Sequence, residues 1–313
     1  MERRKTDVQE LMAKVGKIRI LTNKLIDDQL SGDYHSTFKG QGVEFDEVRP
    51  YAVGDDVRTI DWNVTARTGA PYIKRYSEER ELTVLFMVDV SGSQSYGSRG
   101  RTKAELAAEV TALLALTAIR NQDKVGLVLF SDRIVKYIPP RKGRDSVMRL
   151  AREVLAAGED AEGGTDIPAA LRFLNQVQKR RAVVFLVSDF LQQGGDDAFA
   201  RLLRATARHH DLVCVTVADP AERALPDVGL VELEDPETGE LVLVDTSSAK
   251  LRRAFAAAAD EAEATARRFF AKTGIDTLHL ATDRPYIDDV RALSSAAPAN
   301  VKRRRSRKAR LWH

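Results

Sequence analysis

Short apolar runs alternate with segments of helical spacing through most of the chain. The runs are rich in β-branched residues and end abruptly at polar residues, which is typical of strands buried on both faces of a sheet. They predict strands at 84–88, 125–130, 134–138, 183–187, 212–217 and 275–280. The intervening segments have the apolar periodicity of amphipathic helices and predict helices at 103–120, 146–157, 167–178, 196–209, 248–272 and 287–294. Residues 228–233 and 241–244 predict a hairpin.

This alternation predicts the fold class. Strands that alternate with helices of this length form βαβ units, so we expect a doubly wound, mostly parallel α/β sheet with helices on both faces. In the common doubly wound order, the fourth strand lies beside the first. The carboxyl ends of 84–88 and 183–187 should therefore be neighbours, and each is followed by an aspartate, Asp89 and Asp189.

The N-terminal part of the chain has a different pattern. Residues 7–30 have helical spacing with a polar reverse face, which predicts a docked amphipathic helix. Residues 32–81 are rich in glycine, acids and arginine with little helical periodicity, and predict an ordered extended segment held in part by Trp62, with an edge strand at 72–77. The predicted organisation is a helix and extended segment packed on the main domain at 1–81, the α/β domain at 82–298 and a basic, disordered tail at 299–313.

Composition narrows the class of protein. The 313 residues are 43% hydrophobic and 30% charged, as in soluble globular proteins. No apolar run approaches the roughly 18 residues that a membrane span needs, and the polar start does not resemble a secretory signal. The single cysteine, Cys214, lies in an apolar run and predicts a buried small hydrophobe rather than a disulfide. We expect a cytoplasmic protein.

The net charge of +3 is unevenly distributed. Residues 302–310 contain seven lysines and arginines and no acid, so the remainder of the chain is net negative. This segment lacks apolar periodicity and could contact nucleic acid, anionic lipid or an acidic partner through screened charge. Aromatic interleaving and a fold for base readout are both missing, so specific nucleic-acid binding is not expected.

Oxygen-bearing side chains follow two of the predicted strands and lie in a glycine-rich loop before a helix. We call this set the oxygen ring: Asp89, Ser91, Ser93, Thr165 and Asp189. Hard oxygen ligands of this kind suit Mg²⁺ or Mn²⁺ rather than zinc or copper. The alternative is a strand end followed by a serine-rich turn, with Asp89 capping the next helix. Asp166 is expected to cap the helix that follows it rather than to bind metal.

The order of these residues resembles the metal-ion-dependent adhesion site of von Willebrand factor type A domains. The resemblance covers about residues 82–285. It implies that Ser91 and Ser93 coordinate Mg²⁺ directly and that Thr165 does so directly or through water. It also implies that the two aspartates coordinate the cation or hold its waters. Gln94 stands where methionine is frequent, a departure that is not expected to disturb the ligands.

A narrower resemblance covers about residues 40–285. The segments 48–62, 125–132 and 187–190 are similar to the "domain of unknown function 58" family of bacterial and archaeal proteins. This resemblance implies work with MoxR-type AAA+ ATPases in assembling or activating other proteins. Many members of the family carry membrane segments, and this sequence shows none.

The sequence favours binding over catalysis. It has no Gly-Lys-Ser/Thr phosphate loop and no Gly-x-Ser-x-Gly elbow. A Mg²⁺-dependent phosphohydrolase using Asp89 as nucleophile is an alternative, but Ser91 stands where a second carboxylate would be wanted, and no lysine or histidine is expected at this edge. We expect a non-enzymatic adaptor whose cation captures an acidic residue of a protein partner. The resemblance implies a MoxR-type ATPase or its client as that partner. A nucleic-acid-associated protein acting through the basic tail is the other alternative.

Overall fold

The apolar runs form a six-stranded sheet in the computed structural model of the protein. The structure describes residues 13–18, 21–22, 44–77, 81–98, 100–159, 163–190, 197–234 and 240–295. Its strands are β1 (Glu44–Pro50), β2 (Tyr72–Ser77), β3 (Thr83–Asp89), β4 (Lys124–Phe130), β5 (Ile134–Arg141), β6 (Val183–Ser188), β7 (Asp211–Ala218), β8 (Leu230–Glu234), β9 (Leu241–Asp245) and β10 (Asp276–Ala281). Its helices are α1 (Trp62–Thr68), α2 (Lys103–Arg120), α3 (Arg144–Glu159), α4 (Ile167–Val177), α5 (Asp197–His209), α6 (Ala249–Thr273) and α7 (Ile287–Ser295).

The strand order of the central sheet is β10-β7-β6-β3-β4-β5. β5 is antiparallel to β4, and the other neighbouring pairs are parallel. This order confirms the predicted doubly wound, mostly parallel α/β sheet, including the expected neighbours β3 and β6. In the register of these two strands Val88 is paired with Val187, so Asp89 and Asp189 follow at the same edge of the sheet.

The helices cover both faces of this sheet. On one face, Leu85 and Met87 are fully buried in a core that also includes residues of α4, α5 and α6. On the other face, Phe86 stacks on Phe185 with ring centroids 5.4 Å apart, and α2 packs against α3 and contacts β3 and β4. Burial on both faces explains why the strands are continuous apolar runs. Cys214 is buried in the first of these cores, as predicted.

Residues 39–82 form a compact unit of their own. The predicted strand at 72–77 is present as β2, but it pairs with β1 in a separate antiparallel two-stranded sheet rather than adding to the central sheet. The predicted extended segment also contains a short helix, α1. The Asp61 carboxylate accepts hydrogen bonds from the backbone of Asn63 (3.0 Å) and caps α1, which ends at Gly69 in the left-handed conformation (φ 75°). Trp62, expected to hold the segment, is 70% exposed.

The dense charges of this unit have local structural roles. Both terminal nitrogens of Arg49 donate to the Asp55 carboxylate, at 2.9 and 2.7 Å. This hydrogen-bonded pairing holds the pKa of Asp55 below its usual range. Asp56 accepts from the backbone of Arg58 at 2.9 Å and caps the 3₁₀ turn at Val57–Thr59.

Three other predictions concern the periphery. The predicted hairpin is confirmed as β8 and β9, although its turn at 235–239 lies outside the described residues. Of the predicted helix at 7–30, residues 13–18 and 21–22 are described and are helical. The tail at 299–313 lies outside the described residues. Among the helices that the structure describes, none is both long and apolar enough to cross a membrane.

Gly126 in β4 tests how tightly the sheet is packed. A Cβ added there would meet the Ile138 carbonyl oxygen, a Leu85 methyl and the Pro140 nitrogen, each at 2.9 Å. Two of these atoms are backbone and cannot move aside cheaply. We therefore expect Gly126→Ala to lower the free energy of unfolding by about 1–3 kcal/mol, measured by urea denaturation.

Gly16 supplies the matched control for Gly126→Ala. It is in the described helical stretch, and an added Cβ there meets nothing within 4 Å. Gly16→Ala should therefore be neutral or stabilising by up to about 1 kcal/mol. Equal losses in the two variants would contradict the close packing of β4.

Candidate functional site

The candidate site is formed by loops at the carboxyl edge of the central sheet. Asp89 ends β3, and Asp189 directly follows β6. A short 3₁₀ helix, Gly92–Ser95, turns the chain back after Ser91. The backbone N–H of Gly92 donates to the carbonyl of Gly163 at 3.1 Å, which joins this turn to the glycine-rich loop that carries Thr165.

Hydrogen bonds connect the members of the oxygen ring. Thr165 Oγ1 donates to Asp89 Oδ2 at 3.3 Å. The hydroxyls of Ser91 and Ser93 are 3.3 Å apart, and Ser93 Oγ donates to Asp189 Oδ2 at 2.8 Å. The structure therefore brings all five predicted residues together in one cluster of two carboxylates and three hydroxyls. Cation binding by this cluster stays a prediction.

The competing interpretation of Asp89 as a helix cap is wrong. The next α-helix is α2, and its cap is Thr102, which forms a reciprocal capping box with Glu105. Asp89 Oδ1 instead accepts from the backbone N–H of Ser91 at 3.0 Å and so fixes the serine turn. The expected cap at Asp166 is confirmed, because its side chain accepts from the Ala169 backbone at 2.8 Å.

Two residues that were not predicted for the site contact the ring directly. Ser188 is fully buried, and its hydroxyl donates to Asp89 Oδ2 at 2.6 Å. Gln94 Nε2 donates to Asp189 Oδ2 at 3.1 Å and lies 3.4 Å from Ser93 Oγ. Both are next to a ring residue in the sequence, and this adjacency is the signal that could have identified them.

A lysine also reaches this edge, and the expectation that none would do so is wrong. Lys103, the first residue of α2, is fully buried, and its ammonium lies 2.8 Å from Asp189 Oδ2. It forms a second, close ion pair with Glu222. A short loop connects the ring serines to Lys103, whereas Glu222 lies far along the chain, in the segment after β7. The sequence gives no spacing that would connect these two residues.

Asp219 holds the segment that carries Glu222. It is fully buried after β7, and it accepts hydrogen bonds from Ser98 Oγ and Thr282 Oγ1, each at 2.5 Å. Its own backbone N–H donates to Glu222 Oε2 at 2.9 Å. The loop after the ring, the end of β7 and the end of β10 are thereby connected through one carboxylate.

Comparison with known proteins gives the family. The family model described as "Protein of unknown function DUF58" matches residues 47–265. The chain belongs to this family. An uncharacterized protein of Mycobacterium bovis, Mb1516, is 32% identical to it over 285 residues, which cover 91% of this chain and 89% of the relative.

Two solved structures are similar at low identity. The structure of conserved hypothetical protein BatB from Bacteroides thetaiotaomicron is 16% identical with a TM-score of 0.45, covering 69% of this chain and 100% of that one. The SpRpn10 VWA domain is 12% identical with a TM-score of 0.36, covering 69% and 98%. The fold class of the DUF58 chain is shown by its own strand order.

The negative charge of the Asp89 carboxylate is poorly compensated by its surroundings. Burial raises the pKa of Asp89 to about 6, the Ser188 hydrogen bond opposes this rise and the charge of Asp189 adds to it. For Lys103 the charges of its neighbours outweigh burial. Burial disfavours the ammonium and lowers its pKa, but the charges of Asp189 and Glu222 raise the pKa by more. Positive charge is thus supplied on the Asp189 side of the ring, and the Asp89 carboxylate relies on neutral donors.

The raised pKa of Asp89 predicts a specific pH dependence of stability. Asp89 titrates near 6 when folded and near 3.8 when unfolded, so the folded state binds more protons between these values. The protonated Asp89 side chain therefore contributes fully to the stability of the folded state below pH 3.8, and this contribution is lost as the pH rises through about 6. Without divalent cations, we expect the wild type to lose on the order of 2 kcal/mol relative to Asp89→Asn between about pH 4 and pH 7.

Urea denaturation of both proteins in EDTA across this pH range measures the difference. Asparagine keeps the size of the side chain and mimics the protonated acid, and the other titrating groups are common to both proteins. Parallel pH profiles for the two proteins would show that Asp89 does not titrate as described.

Proposed function

We propose that the protein is a non-enzymatic adaptor that holds Mg²⁺ or Mn²⁺ in the oxygen ring and captures an acidic side chain of a protein partner. The convergence of three hydroxyls and two carboxylates on one edge of the sheet carries this proposal. In the described part of the chain, no three His, Cys, Asp or Glu side chains are grouped for a metal. Hydroxyl oxygens would therefore supply most of the ligands, as hard cations accept.

The hydroxyls and the carboxylates of the ring have different roles in this proposal. Ser91 and Ser93 would provide neutral oxygens, and Asp89 and Asp189 the negative charge. A bound cation would supply a coordination position for a carboxylate oxygen of the partner. Ser91 is fully buried and Asp89 is 2% exposed, while Thr165 is half-buried. The partner would therefore approach on the Thr165 side.

The surroundings of Asp89 support binding rather than phosphoryl transfer. A nucleophilic carboxylate needs an oxygen that a substrate can reach. Both Asp89 oxygens accept hydrogen bonds, Oδ1 from Ser91 and Oδ2 from Ser188 and Thr165. Lys103 is paired with two carboxylates on the far side of the ring, so it does not supply the missing acid–base group next to Asp89.

The partner class comes from the family resemblance. MoxR-type AAA+ ATPases, or the proteins on which they act, are the partners that the resemblance implies for DUF58 proteins. An acidic residue presented by such a protein matches the chemistry proposed for the ring. A MoxR-type ATPase or its client is therefore the proposed partner.

Metal binding can be tested with neutral substitutions in the serine turn. Ser93→Ala removes one proposed ligand without changing charge, and we expect it to weaken Mn²⁺ binding by at least about tenfold in isothermal titration calorimetry. Ser95→Ala is the matched control. Ser95 lies in the same turn, but its hydroxyl donates to the Gly92 carbonyl at 2.8 Å rather than to the ring. Equal affinities for the two variants, or no Mn²⁺ binding by the wild type, would refute the proposed metal site.

Partner binding can be tested with a purified MoxR-type ATPase from the same organism. We expect pull-down in Mg²⁺, loss of binding in EDTA, loss in Ser93→Ala and retention in Ser95→Ala. Binding that survives EDTA would overturn the metal-dependent adaptor. Turnover of p-nitrophenyl phosphate that requires Asp89 would support the phosphohydrolase instead. Loss of all binding on deleting residues 302–313 would support action through the tail.

A further inference from the structure

Lys103 places a positive charge inside the site proposed for a cation. Its ammonium and the Ser93 hydroxyl both lie 2.8 Å from the same oxygen, Asp189 Oδ2. The whole Lys103 side chain is buried, so the ammonium cannot turn into solvent. A divalent cation bound to the ring would therefore share a carboxylate with a fixed positive charge.

Two cations beside one carboxylate repel each other. Coulomb repulsion over a few ångströms is strong where water is excluded, and both cations would compete for the same oxygen. The ammonium cannot simply be released, because a buried charge without a partner is strongly destabilising. Lys103 must therefore have another acceptor if Asp189 is to turn toward a metal.

Glu222 supplies that acceptor. Its Oε1 already pairs closely with the Lys103 ammonium. Its Oε2 accepts from the backbone N–H of Asp219 at 2.9 Å, so the carboxylate is held in place from behind. The side chain of Glu222 is 22% exposed and that of Asp189 7%, and both carboxylates reach the same buried ammonium.

We infer that Lys103 is a tethered counter-cation that competes with the divalent cation for Asp189, and that Glu222 receives the ammonium when the cation binds. This inference rests on the proposed function, because it concerns how the same ring is regulated. The Lys103–Glu222 pair then determines the cation affinity of the ring without contributing a ligand. A purely structural ion pair would affect stability, and the general electrostatic effect of Glu222 on the cation would not depend on the charge of Lys103.

The experiment measures Mn²⁺ affinity of the full chain by isothermal titration calorimetry. Lys103→Gln removes the competing charge, and we expect binding about tenfold tighter or more. Glu222→Gln leaves the ammonium on Asp189 alone, and we expect binding several-fold weaker. Lys136→Gln is the matched control, because Lys136 forms a partly exposed ion pair with Glu153 at 2.6 Å and should leave affinity unchanged.

The double variant Lys103→Gln/Glu222→Gln separates competition from general electrostatics. If Glu222 acts by receiving the ammonium, its substitution should have little effect once Lys103 is neutral. An equal weakening by Glu222→Gln in both backgrounds would overturn the inference. So would a Lys103→Gln protein that is folded by circular dichroism and binds Mn²⁺ no more tightly than the wild type.

Failure of the inference can be told from failure of the proposed function. If neither the wild type nor any variant binds Mn²⁺ or Mg²⁺, the metal-dependent function itself fails. If all of them bind with equal affinity, only the role of Lys103 fails. Should Lys103→Gln not fold, Glu222→Gln retains the lysine, and unchanged Mn²⁺ affinity in that variant would by itself overturn the inference.

Discussion

The burial of two carboxylates at one edge of the sheet is the constraint on which the site depends. Asp89 and Asp189 follow neighbouring parallel strands, so the register of β3 and β6 forces them to the same place. Charges in such a position need compensation from hydrogen bonds or opposite charge. The surrounding residues supply both: hydroxyls and a backbone N–H at Asp89, and a hydroxyl, an amide and an ammonium at Asp189.

Compensation of this kind also organises the loops. The Ser91 backbone is turned toward Asp89, which sets the course of the serine turn. Lys103 begins α2, so its approach to Asp189 fixes the start of that helix against the ring. Glu222 and Asp219 extend the network to the ends of β7 and β10. A change of charge at the ring would consequently be felt by several strand ends, through hydrogen bonds rather than through the apolar core.

The sheet and the ring could be predicted from the sequence because both depend on local patterns joined by topology. Apolar runs identify β3 and β6, and the common order of doubly wound folds makes them neighbours. Thr165 could be included because a glycine-rich loop before a helix faces the same edge. The short helix α1 could not be predicted in this way, since it has only seven residues and none of them is buried, so it lacks an apolar stripe.

Lys103 and Glu222 were beyond sequence reasoning for a different reason. They are 119 positions apart, and their meeting depends on how far a long side chain extends and on how the segment after β7 folds. Apolar periodicity indicates only that the first residue of α2 is near the core. Lysine is rarely buried without partners, so the pattern alone does not predict that Lys103 is buried. A buried lysine is thus recognised only when its acceptors are known.

The neutral hydroxyls and the buried lysine have a combined consequence for the proposed function. Glu222 shares Lys103 with Asp189, so the three carboxylates and one ammonium sum to about two negative units. A divalent cation would bring this sum close to zero. Because neutral hydroxyls would supply most of its ligands, the cation would keep much of its attraction for a carboxylate from outside. Weak cation binding by the free protein and strong dependence on an acidic partner would then have the same cause, since the shortage of carboxylate ligands that lowers the affinity for the cation also raises its attraction for the outside carboxylate.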